Sequence, residues 1–139
     1  MEQIKIKITT TQTIDEVGNE DVIELVTEAL KDTGQDCIII NYDESNITES
    51  EGSKTRLKIY KTKMIMTKVG NISSRMEFEE NKCYSNLYTT PYGTFDLDFN
   101  TIIFKNNLNE DGKGTVYIEY KVTLGGAEEN YNKLLIDIF

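Results

Sequence analysis

Residues 21–33, DVIELVTEALKDT, decide whether this chain is all-β or mixed. With a period of 3.6, Val22, Leu25, Val26 and Ala29 share one face of an amphipathic helix; with a period of two, the same segment is a long strand. The Val, Ile and Thr content favours the strand, because β-branched side chains suit a half-buried pleated surface. The neighbouring segments point the same way.

Upstream, MEQIKIKITT places Ile4, Ile6 and Ile8 on one face and Lys5, Lys7 and Thr9 on the other, which is what a strand with one buried face requires. Downstream, the turn TGQD leads into CIIINYDE. TRLKIYK follows with Leu57 and Ile59 on one face, and KMIMTKVG sets Met64 and Met66 opposite Ile65, Thr67 and Val69. The short link Tyr60-Lys61-Thr62 makes these last two an antiparallel hairpin. SRMEFEE turns Met76 and Phe78 inward and leads through Glu80-Asn81-Lys82 into CYSNLYTT. GTFDLDF (Phe95, Leu97, Phe99), TIIFKNNL (Ile102, Phe104), GTVYIEYKVTL (Val116, Ile118, Tyr120, Val122, Leu124) and NKLLIDIF (Leu134, Ile136, Ile138) complete the series. NEDGKG and GGAEEN separate the last three runs and carry the glycines that tight turns use. The series predicts one domain over residues 1–139, an antiparallel meander of about 8–10 strands. A sheet that long curls or closes, and closure into a barrel removes its exposed edges.

Pro91, the chain's one proline, lies in TTPYG between two such runs. Proline cannot donate to a strand ladder, so Pro91-Tyr92-Gly93 reads as a tight connection.

Composition excludes several function classes. The 139 residues carry 24 Asp and Glu against 15 Lys and Arg, a formal charge of −9. That opposes sequence-independent nucleic-acid binding and attraction to an anionic membrane. Histidine is absent, which removes Ser-His and Cys-His nucleophilic pairs and nearly every common zinc site. No apolar run approaches the ~18 residues that span a bilayer, and the N-terminus alternates where a signal peptide would be apolar; the expected location is the cytoplasm. There Cys37 and Cys83 stay reduced, and as each adjoins a β-like run the expectation is a buried small hydrophobe.

The succession NITESEG, TRLKIY, VGNISSRMEFEENK, LYTTPYG with FDLDFN, DGKGTVYIEYKVTLGG and NKLLIDI resembles the YwiB-like family of small bacterial proteins along nearly the whole chain. Its most specific pieces are Glu51-Gly52, Arg75-Met76-x-Phe78 and Tyr88-x-Thr90-Pro91-x-Gly93. The resemblance implies a lipocalin-like, calycin-type β-barrel. It implies no activity, the family being a domain of unknown function. The Gly-x-Trp signature of true lipocalins is missing, as the chain has no Trp, so ligand transport is not inherited from fold alone.

Other patterns dissolve on inspection. Asp96, Asp98 and Asn100 have calcium-loop spacing, but Thr101 and Asn107 stand where that loop needs Gly and Glu; alternation makes the two aspartates a solvent face. GKG at 112–114 lacks the rest of a phosphate loop. NIT at Asn46 and NIS at Asn71 match the glycosylation pattern by chance in a chain with no secretory signal. The stretch with Asp43, Glu44, Glu49 and Glu51 reads as a solvated loop, with cation or basic-partner contact as the alternative.

What remains is the interior. Closure gathers Met64, Met66, Met76, Phe78, Phe95, Leu97 and Phe99, and Tyr42, Tyr88 and Tyr120 add hydroxyls; Arg75 and Tyr92 are candidate polar anchors near an end. Such a barrel is either filled by side chains or holds one small ligand. The sequence therefore gives two main readings. One is a non-enzymatic barrel that binds a small apolar or amphipathic ligand. The other is a packed interaction module that meets a partner protein or a second copy of itself. A carboxylate enzyme ranks third, and no metal or cofactor is implied.

Overall fold

The computed structural model describes residues 2–13, 20–43, 54–70, 73–125 and 129–139. Ten strands account for nearly all of them: β1 Glu2–Thr13, β2 Glu20–Thr33, β3 Cys37–Asp43, β4 Lys54–Tyr60, β5 Lys63–Val69, β6 Ser74–Glu79, β7 Cys83–Thr90, β8 Gly93–Leu108, β9 Gly114–Leu124 and β10 Asn130–Ile138. There is no helix among the described residues, hence none long and apolar enough to cross a membrane.

The stretch 21–33 is strand, paired with β1 along most of its length, from Glu2↔Lys31 to Thr13↔Glu20, and with β3 only at its end, from Leu30↔Asn41 to Thr33↔Ile38. Leu25 and Ala29 are buried, while Val22 and Val26 lie on the outer wall at 53% and 52% exposure. The helical grouping of these four is thus split by the pleat.

All strands form one antiparallel sheet in the order β6-β5-β4-β3-β2-β1-β10-β9-β8-β7. The first and last strands close the circle through a full ladder from Ile6↔Ile138 to Gln12↔Asn132. The seam falls instead between the sequence neighbours β6 and β7. There the backbone is joined by one bridge, Ser73 and Thr89 exchanging two 2.9 Å hydrogen bonds. Side chains lace the rest: Asn86 Nδ2 donates to the Arg75 carbonyl (3.0 Å), Tyr84 donates to Glu79 (3.2 Å) and the Phe104 N–H donates to Glu80 (3.3 Å). The barrel is thus nearly closed: this line lacks a ladder, and between β2 and β3 the ladder is short, with a cleft lined by Ala29, Leu30, Asn41 and Tyr42 beside it.

The two predicted runs GTFDLDF and TIIFKNNL are a single strand, β8. Its inward parity changes from Leu97, Phe99 and Thr101 to Phe104 because the register shifts between Thr101 and Ile103, leaving Ile102 as the extra residue. A bulge, not a turn, absorbs the change of phase. Pro91 and Tyr92 form the two-residue link between β7 and β8, followed by Gly93 at φ +140°. The cysteine expectation is corrected: Cys83 is exposed and Cys37 only half-buried, as both stand on outward positions of their strands.

The core fills the lower half of the barrel with Ile6, Ile40, Leu57, Ile59, Met64, Phe78, Val116, Ile118, Ile136 and Ile138. Asn46, Glu49, Glu51, Gly52 and Asn71, together with the side chain of Leu124, lie outside the described residues.

Candidate functional site

The two ends of the barrel differ. At one end, here the base, β2–β3, β4–β5, β6–β7 and β8–β9 are joined by connections of two to five residues. The β8–β9 turn folds across this end: Gly112, buried and at φ +74°, lies so close to Ile38 that a Cβ would meet its Cδ1 at 2.8 Å. Lys31, on the inward face of β2, pairs with Glu2 at 2.9 Å and donates to the Asp111 carbonyl. Hydrogen bonding and attraction from Lys31 hold the Glu2 carboxyl below the usual carboxylate range. Asn106 Nδ2 donates 2.9 Å to the Tyr60 carbonyl, tying β8 to the β4–β5 turn. These turns cover the base but leave between them an open groove of about 440 Å³, lined among others by Thr33, Asp36, Ile38, Ile59, Asn106 and Leu108.

The opposite end, the mouth, holds a cavity of about 310 Å³. Its walls are Ile8 and Thr10 of β1, Ile23 and Leu25 of β2, Tyr42 of β3, Met66 and Lys68 of β5, Ser74 and Met76 of β6, Tyr88 of β7, Tyr120 of β9 and Leu134 of β10. Strand parity brings them together: Met64, Met66 and Lys68 alternate inward from core to mouth on β5, as do Phe78, Met76 and Ser74 on β6. Phe78, one step further in on β6 than Met76, is fully buried, its ring edge-on to Tyr120 (4.9 Å) and tilted against Phe99 (5.7 Å). Tyr120 keeps some accessible surface on the cavity it lines, yet desolvation alone pushes its hydroxyl up to about 12. It is a neutral hydrogen-bond donor at physiological pH.

Five of the twelve residues predicted for the interior line this cavity: Tyr42, Met66, Met76, Tyr88 and Tyr120. Met64, Phe78, Leu97 and Phe99 point inward and are buried, but do not line it. Three belong elsewhere. Arg75 is on the outer wall, paired with Glu77 at 2.6 Å, because the pleat that turns Met76 in turns Arg75 out. Tyr92 is 94% exposed at the tip of its turn, and Phe95, 40% exposed, lies on β8 above the packed layer, near Gly125. Neither anchor proposed from sequence reaches the cavity. Sequence reasoning missed Lys68, whose parity with Met64 and Met66 was the available signal. It also missed Ile8, Thr10, Ile23, Leu25, Ser74 and Leu134, which only inter-strand register brings to one place.

Asp96 and Asp98 are exposed on the outer face of β8, and no group of three acidic or cysteine side chains that could hold a metal occurs among the described residues.

A family model, the domain of unknown function DUF1934, matches residues 6–136, and the chain belongs to that family. The fold is shared with the crystal structure of the ywiB protein from Bacillus subtilis, at a TM-score of 0.71 and 17% identity, over 97% of this chain and 92% of that one. No curated protein matches the chain.

Proposed function

We propose that this member of the DUF1934 family is a non-enzymatic barrel, used in a lipocalin-like way, that holds one small apolar or amphipathic molecule in the mouth cavity. The observation that carries the reading is a cavity of about 310 Å³ partly enclosed by inward side chains of several strands above a packed core, whereas the turns at the base leave a more open groove. That volume is at the lower end of small-molecule sites, which are mostly apolar with a few placed polar groups. Ile8, Leu25, Met66, Met76 and Leu134 supply the apolar wall, and the tyrosines the polar points. Methionines adapt to irregular ligand shapes. The reading places the protein in the bacterial cytoplasm.

Native mass spectrometry of protein purified gently from its own host tests it. The expected spectrum contains a species with added mass that disappears on denaturation. Only the bare chain mass, together with no thermal shift from any member of a panel of small amphiphiles, would overturn the reading.

A second reading has its own support. Val22, Val26 and Leu30 are exposed on the outer face of β2, alternating there with Glu24 and Glu28, a mixed apolar and acidic strip that a protein partner could cover. If that strip is the functional surface, replacing Val26 with Glu abolishes complex formation in the host and leaves ligand retention unchanged.

A further inference from the structure

We infer that the molecule held in the mouth is a small anion with a short apolar body, a medium-chain carboxylate in chemical class, whose head group meets Lys68. This rests on the ligand-binding reading above and narrows it.

The chain has nine more acids than bases, yet the cavity lining reverses that balance. Its only charged side chain among the described residues is Lys68, and no carboxylate lines it. The other polar groups are the hydroxyls of Thr10, Ser74, Tyr42, Tyr88 and Tyr120. Tyr42 and Tyr88 already hold interactions within the fold, Thr10, Ser74 and Tyr120 carry hydroxyls that can donate a hydrogen bond, and none of the five carries a formal negative charge at neutral pH. Such a lining accepts a carboxylate and offers a cationic head group no counter-ion.

Position along the strands orders the ligand. Lys68 is nearest the mouth on β5, with Met66 and then Met64 below it. On β6 the order downward is Ser74, Met76, Phe78. A head group at the cross-strand pair Lys68–Ser74 therefore lays an apolar body over the next pair down, Met66–Met76, in the direction of the pair Met64–Phe78. Lys68 already holds an interaction within the fold, but an ammonium has three donors and can take a carboxylate as well. The cavity has the volume of about ten water molecules at ~30 Å³ each, which suits a short chain and not a long one.

Electrostatics supports the choice. The acids next to lining residues, Glu24, Asp43, Glu77 and Glu119, stand on the outward parity of their strands, where solvent and salt screen them. Contact between an ammonium and a carboxylate in a partly enclosed cavity is screened far less. Local sign outweighs global sign.

Isothermal titration of the full chain with octanoate, 1-octanol and octyltrimethylammonium at fixed ionic strength tests the inference. Octanoate is expected to bind about tenfold or more tighter than octanol, the usual scale for a charge-assisted hydrogen bond, and the cation to bind weakest. Lys68→Met is expected to lower octanoate affinity about tenfold while octanol affinity stays within about twofold, which also reports that the variant's cavity is intact. Lys68→Arg retains octanoate binding. Equal affinity for octanoate and octanol, preference for the cation, or an unaltered octanoate affinity in Lys68→Met overturns the inference while the cavity reading stands. If none of the three binds, both fall together.

Discussion

The base and the mouth of this barrel are made by the same alternation of apolar and polar residues, and each contains an inward-pointing lysine. At the base, Lys31 is fixed by Glu2 and the Asp111 carbonyl under a folded-over turn. At the mouth, Lys68 stands in the wall of a cavity. The first lysine ties a turn down over the base; the second, which also holds an interaction within the fold, lines a cavity. The difference teaches that strand patterning alone does not make a site: the core side chains pack the lower barrel and the β8–β9 turn folds across that end, and nothing equivalent among the described residues covers the other.

If the lower half is the stability element, its core side chains are the costliest to truncate. Phe78→Ala removes a fully buried ring that touches Phe99 and Tyr120, and should lower stability to urea by about 3–5 kcal/mol. Gly114→Ala attacks the base turn. A Cβ there would sit 2.5 Å from the Asn107 carbonyl oxygen at φ +133°, a strain of about 3 kcal/mol in the same assay. Met76→Ala, half-buried at the mouth, should cost only about 1 kcal/mol, since part of its surface is already on a cavity. A cost at Met76 equal to that at Phe78 would break the distinction between the two halves.

Two smaller effects sharpen it. Thr101, fully buried beside the bulge, has a hydroxyl without a hydrogen-bond partner among the described residues. Thr101→Val should therefore raise the denaturation midpoint, by about 1 kcal/mol of stability, as it removes an unsatisfied group at nearly constant shape. The last effect is alkaline. Tyr120 has its folded value raised to about 12 from an ordinary value near 10, so its contribution is fully present below about pH 10 and is lost as pH rises towards 12. Tyr84 and Tyr117 are raised too, burial first in each case. Comparison with Tyr120→Phe isolates the buried residue: the variant's stability should fall less steeply between pH 10 and 12.

Much of the fold was legible. Ile4, Ile6 and Ile8, Leu57 and Ile59, and Ile136 and Ile138 alternate cleanly and are all buried, since a strand with one wet face leaves little choice of parity. The site was less legible. Arg75 was drawn inward by adjacency to Met76, although alternation itself puts neighbours on opposite faces. Tyr92 followed a turn residue that nothing covers. On β2 both faces carry apolar residues, so composition did not say which faced in; the pairing of Ile8 with Leu25 and Ile4 with Ala29 did.

By itself, the sequence determined an all-β meander and which side of most strands is apolar, because those follow from a period of two along one chain. The tertiary structure alone decided where the circle closes, which end the β8–β9 turn folds across and which residues meet across the mouth. Those depend on register between strands far apart in sequence, and on a single extra residue at Ile102 that turns half of β8 over. A cavity is the space that packing leaves unfilled, and no local pattern encodes it.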